Sequence, residues 1–184
     1  MPMATTTRAG AARKRPAAAR AKRISATLDC FRRVIRVLRV SARYAEEKSG
    51  LRPAQLFVLS QIAAAPDQSL TEIAERTLTD RTSVAGMVDR LASRGLVARG
   101  RGTDDRRRVE IRLTAAGART LAKAPSSPTQ FLLEGLEQLD DATLDRLARD
   151  VGKLVRTMGA EAGPAAMLFE DGGAERGTRS RRRR

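Results

Sequence analysis

Between Ser69 and Leu113 the spacing of apolar residues changes period, from steps of three and four to steps of two. A helix buries every third or fourth residue and a half-buried strand every second, so this stretch reads as helix, helix, hairpin. Ser69-x-x-Glu72 is a capping box, in which a hydroxyl accepts from the amide three residues on while the carboxylate reaches back, and it opens a short helix, LTEIAER. After Thr77-Leu78-Thr79, Asp80 is an N-cap for a helix from about Arg81 to Arg94 with Val84, Met87, Val88 and Leu91 on one face, and Gly95 closes it. Leu96-Val97-Ala98-Arg99 is strand-like, residues 100–108 are a polar loop, and Val109-Glu110-Ile111-Arg112-Leu113 alternates. Two short helices joined by a three- or four-residue turn outline a helix-turn-helix. One that runs directly into a hairpin with a basic tip is a winged helix.

Helical periodicity also flanks this unit. From Ile24 to Lys48, Ile24, Leu28, Phe31, Ile35, Leu38, Ala42 and Ala45 recur at helical steps, with Cys30, Val34, Val37, Ser41 and Tyr44 beside them, so about half the circumference is apolar. Such a helix is expected to pack on two sides, with Cys30 an ordinary small buried residue and Arg32, Arg36, Arg39 and Arg43 on a face read as solvated, with contact to phosphates as the alternative. Gly50 ends it. Pro53 suits the first turn of the next helix, whose Leu56, Leu59, Ile62 and Ala63 are its expected buried stripe. Thr114 opens another helix that gives way near Pro125-Ser126-Ser127-Pro128, and Leu132, Leu136, Leu139, Leu144, Leu147, Val151, Leu154 and Met158 mark one or two terminal helices after a cap at Asp140 or Asp141.

Composition limits the chemistry. With no histidine and one cysteine, the chain excludes imidazole-based catalysis, zinc knuckles and disulfides within itself. No metal, cofactor or catalytic residue is expected, and the paired acids Asp104-Asp105 and Asp140-Asp141 read as a wing and a cap. The chain is not expected to be an enzyme. Its formal charge is +15, which points to a polyanion. Residues 1–23 and 176–184 hold seven and six cations and no acid, residues 76–119 sum to +6 and residues 120–175 to −5. Residues 1–23 and 159–184 carry little to bury and are expected to be disordered tails. No run approaches the ~20 apolar residues of a membrane span, so no membrane is expected among the partners.

Residues 79–117, TDRTSVAGMVDRLASRGLVARGRGTDDRRRVEIRLTAAG, resemble the recognition helix and wing of the MarR family of bacterial transcription regulators, and the likeness runs over most of residues 24–158. Asp105 and Arg107 fall on the family's Asp-x-Arg wing positions. The fold class implied is mostly α with a small β-hairpin wing, a winged helix-turn-helix over about 53–117 with dimerisation helices at 24–48 and 118–158. The resemblance implies a homodimeric, cytoplasmic bacterial protein, nucleoid-associated when bound, that recognises double-stranded DNA at a palindromic operator and is released by a small anionic or aromatic effector. Arg52 stands where the family usually has a Ser or Thr cap, so the helix after it is expected to start less crisply.

On that reading Arg81, Thr82 and Ser83 reach bases or phosphates, Gly86 lets the backbone approach the groove, and Arg90 and Arg94 take phosphates. Thr82 and Ser83 have the alternative role of capping their own helix. Arg106, Arg107 and Arg108 at the wing tip suit a narrow minor groove, with Asp105 orienting Arg107. Arg43, Tyr44 and Arg52 are the candidates for holding an effector. The competing function is a non-specific nucleoid-associated or architectural protein driven by the Arg-rich tails, distinguished by its lack of sequence preference.

Overall fold

The computed structural model describes residues 8–65, 67–101, 109–160 and 167–169. The chain divides into two compact units, Met1–Val40 and Ser41–Arg184. Helix α1 (Arg8–Ser49) supplies the first and begins the second. It starts sixteen residues before the Ile24 expected from periodicity, so residues 8–23 are helical, not disordered. Their alanines and arginines are strong helix formers. They lack the apolar stripe by which periodicity is read. In the first unit Ile24, Leu28, Phe31, Val34, Ile35 and Val37 are exposed. Cys30, expected to be buried, is exposed as well.

The second unit begins where Gly50, at φ +64°, turns the chain out of α1. Helix α2 (Pro53–Ala64) follows and is the centre of the core. Seven consecutive residues from Pro53 to Leu59 are buried, together with Ile62, so α2 is surrounded rather than striped. Ala63, expected to be buried, is exposed. The start of α2 has half a capping box: the side-chain oxygen Oε1 of Gln55 accepts from the Arg52 amide at 3.2 Å, while a guanidinium, having no acceptor, cannot return the bond.

Around α2 pack α3 (Leu70–Arg76), α4 (Arg81–Ser93), the antiparallel pair β1 (Val97–Arg101) and β2 (Val109–Leu113), α5 (Ala115–Lys123) and α6 (Pro128–Glu137). Phe57, Leu59, Ile73, Met87, Leu91 and Ile111 are among its largest buried side chains. Full burial of each stabilises the unit by about 1.5–3 kcal/mol. Met167 joins this core at 6% exposure, which corrects the expectation of a wholly disordered segment beyond residue 158. The strands pair Val97 with Leu113 and Arg99 with Ile111. Gln68 adds a third position to the sheet, its carbonyl accepting from the Ile111 amide at 2.7 Å.

Gly117 marks the tightest packing. A Cβ there would lie 2.2 Å from the Leu96 carbonyl oxygen, so only glycine lets α5 cross the exit of α4. Thr114 caps α5 by accepting from the Gly117 amide at 3.0 Å, while its own hydroxyl donates to the Gly95 carbonyl at 2.7 Å. Ser127 caps α6, and Asp140 caps α7 (Asp141–Thr157). Helix α7 buries nothing: Leu144, Leu147, Val151 and Leu154 recur at helical steps and are each 38–41% exposed. Among the described residues no helix is long and apolar enough to cross a membrane.

Candidate nucleic-acid interface

Helices α3 and α4 meet across residues 77–80, and each of the four has a defined role. Thr77 ends α3 by donating its hydroxyl to the Ile73 carbonyl at 2.8 Å. Leu78 then takes φ +53° and stands 77% exposed, a conformation that costs a non-glycine residue roughly 1–2 kcal/mol. The Thr79 amide returns to the Ala74 carbonyl at 3.1 Å. Asp80 Oδ1 accepts from the Thr82 and Ser83 amides at 2.9 Å each, and its Oδ2 from the Ser83 hydroxyl at 2.7 Å. These bonds, led by the Ser83 amide, hold the Asp80 carboxyl below the ordinary aspartate range.

Because α4 turns its residues by 100° each and buries Val84, Met87, Val88 and Leu91, its opposite face is fixed. That face presents Thr82, Gly86, Asp89 and Ser93, flanked by Arg81 and Arg90. All but the half-buried Gly86 are exposed. A Cβ on Gly86 would meet nothing within 4 Å, so nothing inside the unit requires a glycine there. The structure thus places Thr82 and Gly86 on one open face, with Arg81 and Arg90 at its two opposite edges. Ser83 is turned toward Asp80. Arg94 is drawn aside, its Nη1 donating to the Gly50 carbonyl at 2.9 Å.

Sequence reasoning did not single out Asp89. It sits mid-face on α4 and is ion-paired with Arg99 of β1, both partly exposed. The link crosses from helix to strand over ten residues of sequence. Only the three-dimensional placement reveals it. On the adjacent strand Arg112 is ion-paired with Asp67 and donates to Glu110 Oε2 at 3.0 Å. Hydrogen bonding to Asp67, then the charge of Asp67, raises the Arg112 guanidinium above its ordinary range. These pairs brace the base of the hairpin. The wing-tip residues Asp105, Arg106, Arg107 and Arg108 lie outside the described residues.

Arg43, Tyr44 and Arg52 are all exposed. None lines either of two open grooves in the second unit. The first, about 370 Å³, lies between α2 and the α5–α6 connection, with Ser60, Gln61, Ser127 and Gln130 in its wall. The second, about 480 Å³, is basic: Lys48, Arg119 and Lys123 surround Ser49, Gly50 and Thr120.

Residues 51–109 match the family model described as MarR family. The chain is similar to the HTH-type transcriptional repressor MdtR of Bacillus subtilis, 42% identical over 71 residues that cover 39% of this chain and 46% of MdtR. It is also similar to the transcriptional regulator HosA of Escherichia coli, 33% identical over 84 residues, 46% of this chain and 62% of HosA. The chain thus spans about half to two thirds of the length of these relatives. Among solved structures, the MarR family transcription regulator SP03579 superimposes with a TM-score of 0.50 at 14% identity, over 78% of this chain and 95% of that one. The shared fold is the winged helix described above.

Proposed function

We propose, from the match of residues 51–109 to the MarR family model, that the protein is a sequence-specific, homodimeric transcription regulator that represses at a palindromic operator. One observation carries the reading: the outward face of α4 is open, capped at its N-terminus, and holds a glycine that packing does not require. An α-helix fits the major groove, where base pairs display distinguishable patterns. Thr82 and Arg81 would address base edges or phosphates there, Arg90 a flanking phosphate, and Gly86 would let the backbone come close. Arg106, Arg107 and Arg108 would enter the minor groove with Asp105 orienting Arg107.

The homodimer is supported by the exposed apolar steps of α7, Leu144, Leu147, Val151 and Leu154, and by those of α1 in the first unit. Each is a seam that a second copy can cover. Release by an anionic effector is supported by the basic groove of Lys48, Arg119 and Lys123, with Arg43, Tyr44 and Arg52 as further candidates.

The deciding experiment titrates the full chain against DNA from upstream of its own gene and against a scrambled duplex. A preference of about 10³-fold or more at physiological salt is expected. Equal affinity for both duplexes overturns the reading in favour of non-specific coating.

A further inference from the structure

The positive charge of this chain is concentrated away from the winged helix. Residues 1–40 hold eleven cations against the single acid Asp29, a net of +10, and residues 176–184 hold six arginines. Residues 41–175, with 19 cations and 20 acids, have a net charge of −1. Of the formal charge of +15, +10 therefore lies in the Met1–Val40 unit and +5 in the unit that carries α4, so most of the long-range attraction for a polyanion arises in the first.

Those N-terminal cations stand on a helix. Helix α1 runs from Arg8, and Arg20, Lys22, Arg23, Arg32, Arg33, Arg36 and Arg39 are all exposed. Asp29 is paired with Arg32 at 2.8 Å. At 100° per residue Arg32, Arg36 and Arg39 fall in one strip, and their backbone positions span about 10 Å at 1.5 Å per residue. A DNA duplex presents one phosphate charge per roughly 1.7 Å of axis, so several phosphates lie within reach of such a strip. Nine of the eleven cations are arginine, whose planar fork meets phosphate oxygens in pairs. A helix lying on a membrane needs bulky apolar residues opposite its charges. Residues 8–23 have none, and the exposed Ile24, Leu28, Phe31 and Ile35 further along α1 belong to the seam assigned to the second copy.

We propose that residues 8–40 of α1 form a second DNA-binding surface, gripping the phosphate backbone without regard to sequence. The proposal rests on the regulator reading only in taking DNA as the polyanion.

Three full-length proteins test it: wild type, a triple variant R20Q/K22Q/R23Q, and a triple variant R33Q/R36Q/R39Q. Each is titrated with the upstream and scrambled duplexes between 50 and 200 mM salt, with helicity and oligomeric state checked in parallel. Each phosphate contact contributes about 0.9 to the logarithmic salt slope. Loss of three contacts therefore reduces the fall in affinity across that range by about 40-fold for each protomer engaged, equally for both duplexes, with the upstream preference unchanged. Unchanged slopes in both variants overturn the inference and leave the regulator reading intact. Unchanged DNA slopes with lost binding to anionic phospholipid vesicles overturn it in favour of a membrane surface. Shallower slopes in a protein that shows no upstream preference support the inference and count against the regulator reading instead.

Discussion

Asp89 on the outward face of α4 is ion-paired with Arg99 of β1, so a carboxylate and a guanidinium that would each act on DNA alone are bound to one another. As an exposed pair it contributes at most about 1 kcal/mol to stability. Its weight falls on binding. In Asp89→Asn the repulsive carboxylate is gone and Arg99 is released toward phosphate. Affinity for scrambled duplex should rise and the salt slope steepen by roughly 1, with melting temperature nearly constant. A variant that binds scrambled DNA no better than wild type refutes this account.

Two glycines separate fold from function. Gly117→Ala forces a methyl group against the Leu96 carbonyl and should destabilise the second unit by about 1–3 kcal/mol. Gly86→Ala has open space for its methyl and should stabilise α4 by up to about 1 kcal/mol, while operator affinity falls because the helix backbone can no longer approach. Chemical denaturation and DNA titration of both variants check the contrast. Undiminished binding by Gly86→Ala removes the assignment of that residue to the interface.

The capping box of α3 offers a direct stability measurement. The Ser69 hydroxyl accepts from the Glu72 amide at 3.3 Å, and Glu72 Oε2 accepts from the Ser69 amide at 2.7 Å. Ser69→Ala should cost roughly 0.5–2 kcal/mol. A shift in the denaturation midpoint with unchanged slope is the expected signature.

Asp80 sets an acid limit. Its folded carboxyl titrates below the ordinary aspartate value, chiefly through the Ser83 amide. A depressed folded pKa gives stability that is full above the unfolded value of about 3.9 and is lost as pH falls through the folded one. Asp140, bonded to the Thr143 amide, acts in the same direction. Melting temperature should therefore drop as pH falls below about 4. In Asp80→Asn, which still caps, the drop should be smaller, and an identical acid profile in the two proteins would remove Asp80 from the explanation.

Much of the winged helix is legible in sequence because local rules fix its boundaries. Ser69, Asp80 and Thr114 each cap the helix that follows them. Gly95, at φ +69°, closes α4 where the periodicity stops. Residues 8–23 escape the same reading because their helix is specified by propensity and not by a buried stripe. Met167 is missed because one apolar residue in a polar stretch has no period. Arg94 reads as a phosphate ligand until the chain brings the Gly50 carbonyl beside it. Asp89 looks like a solvated acid until β1 returns Arg99 to the same surface.

The hydrogen bond between the Gln68 carbonyl and the Ile111 amide joins the residue just before the α3 cap to the middle of β2. Hinge motion between wing and helix pair is thereby opposed at the hinge itself, since flexing the hairpin would break a bond at the root of α3. The two parts that would touch DNA form a single reading head. In the proposed homodimer, a signal that switches DNA binding would therefore act by changing the distance or angle between whole heads.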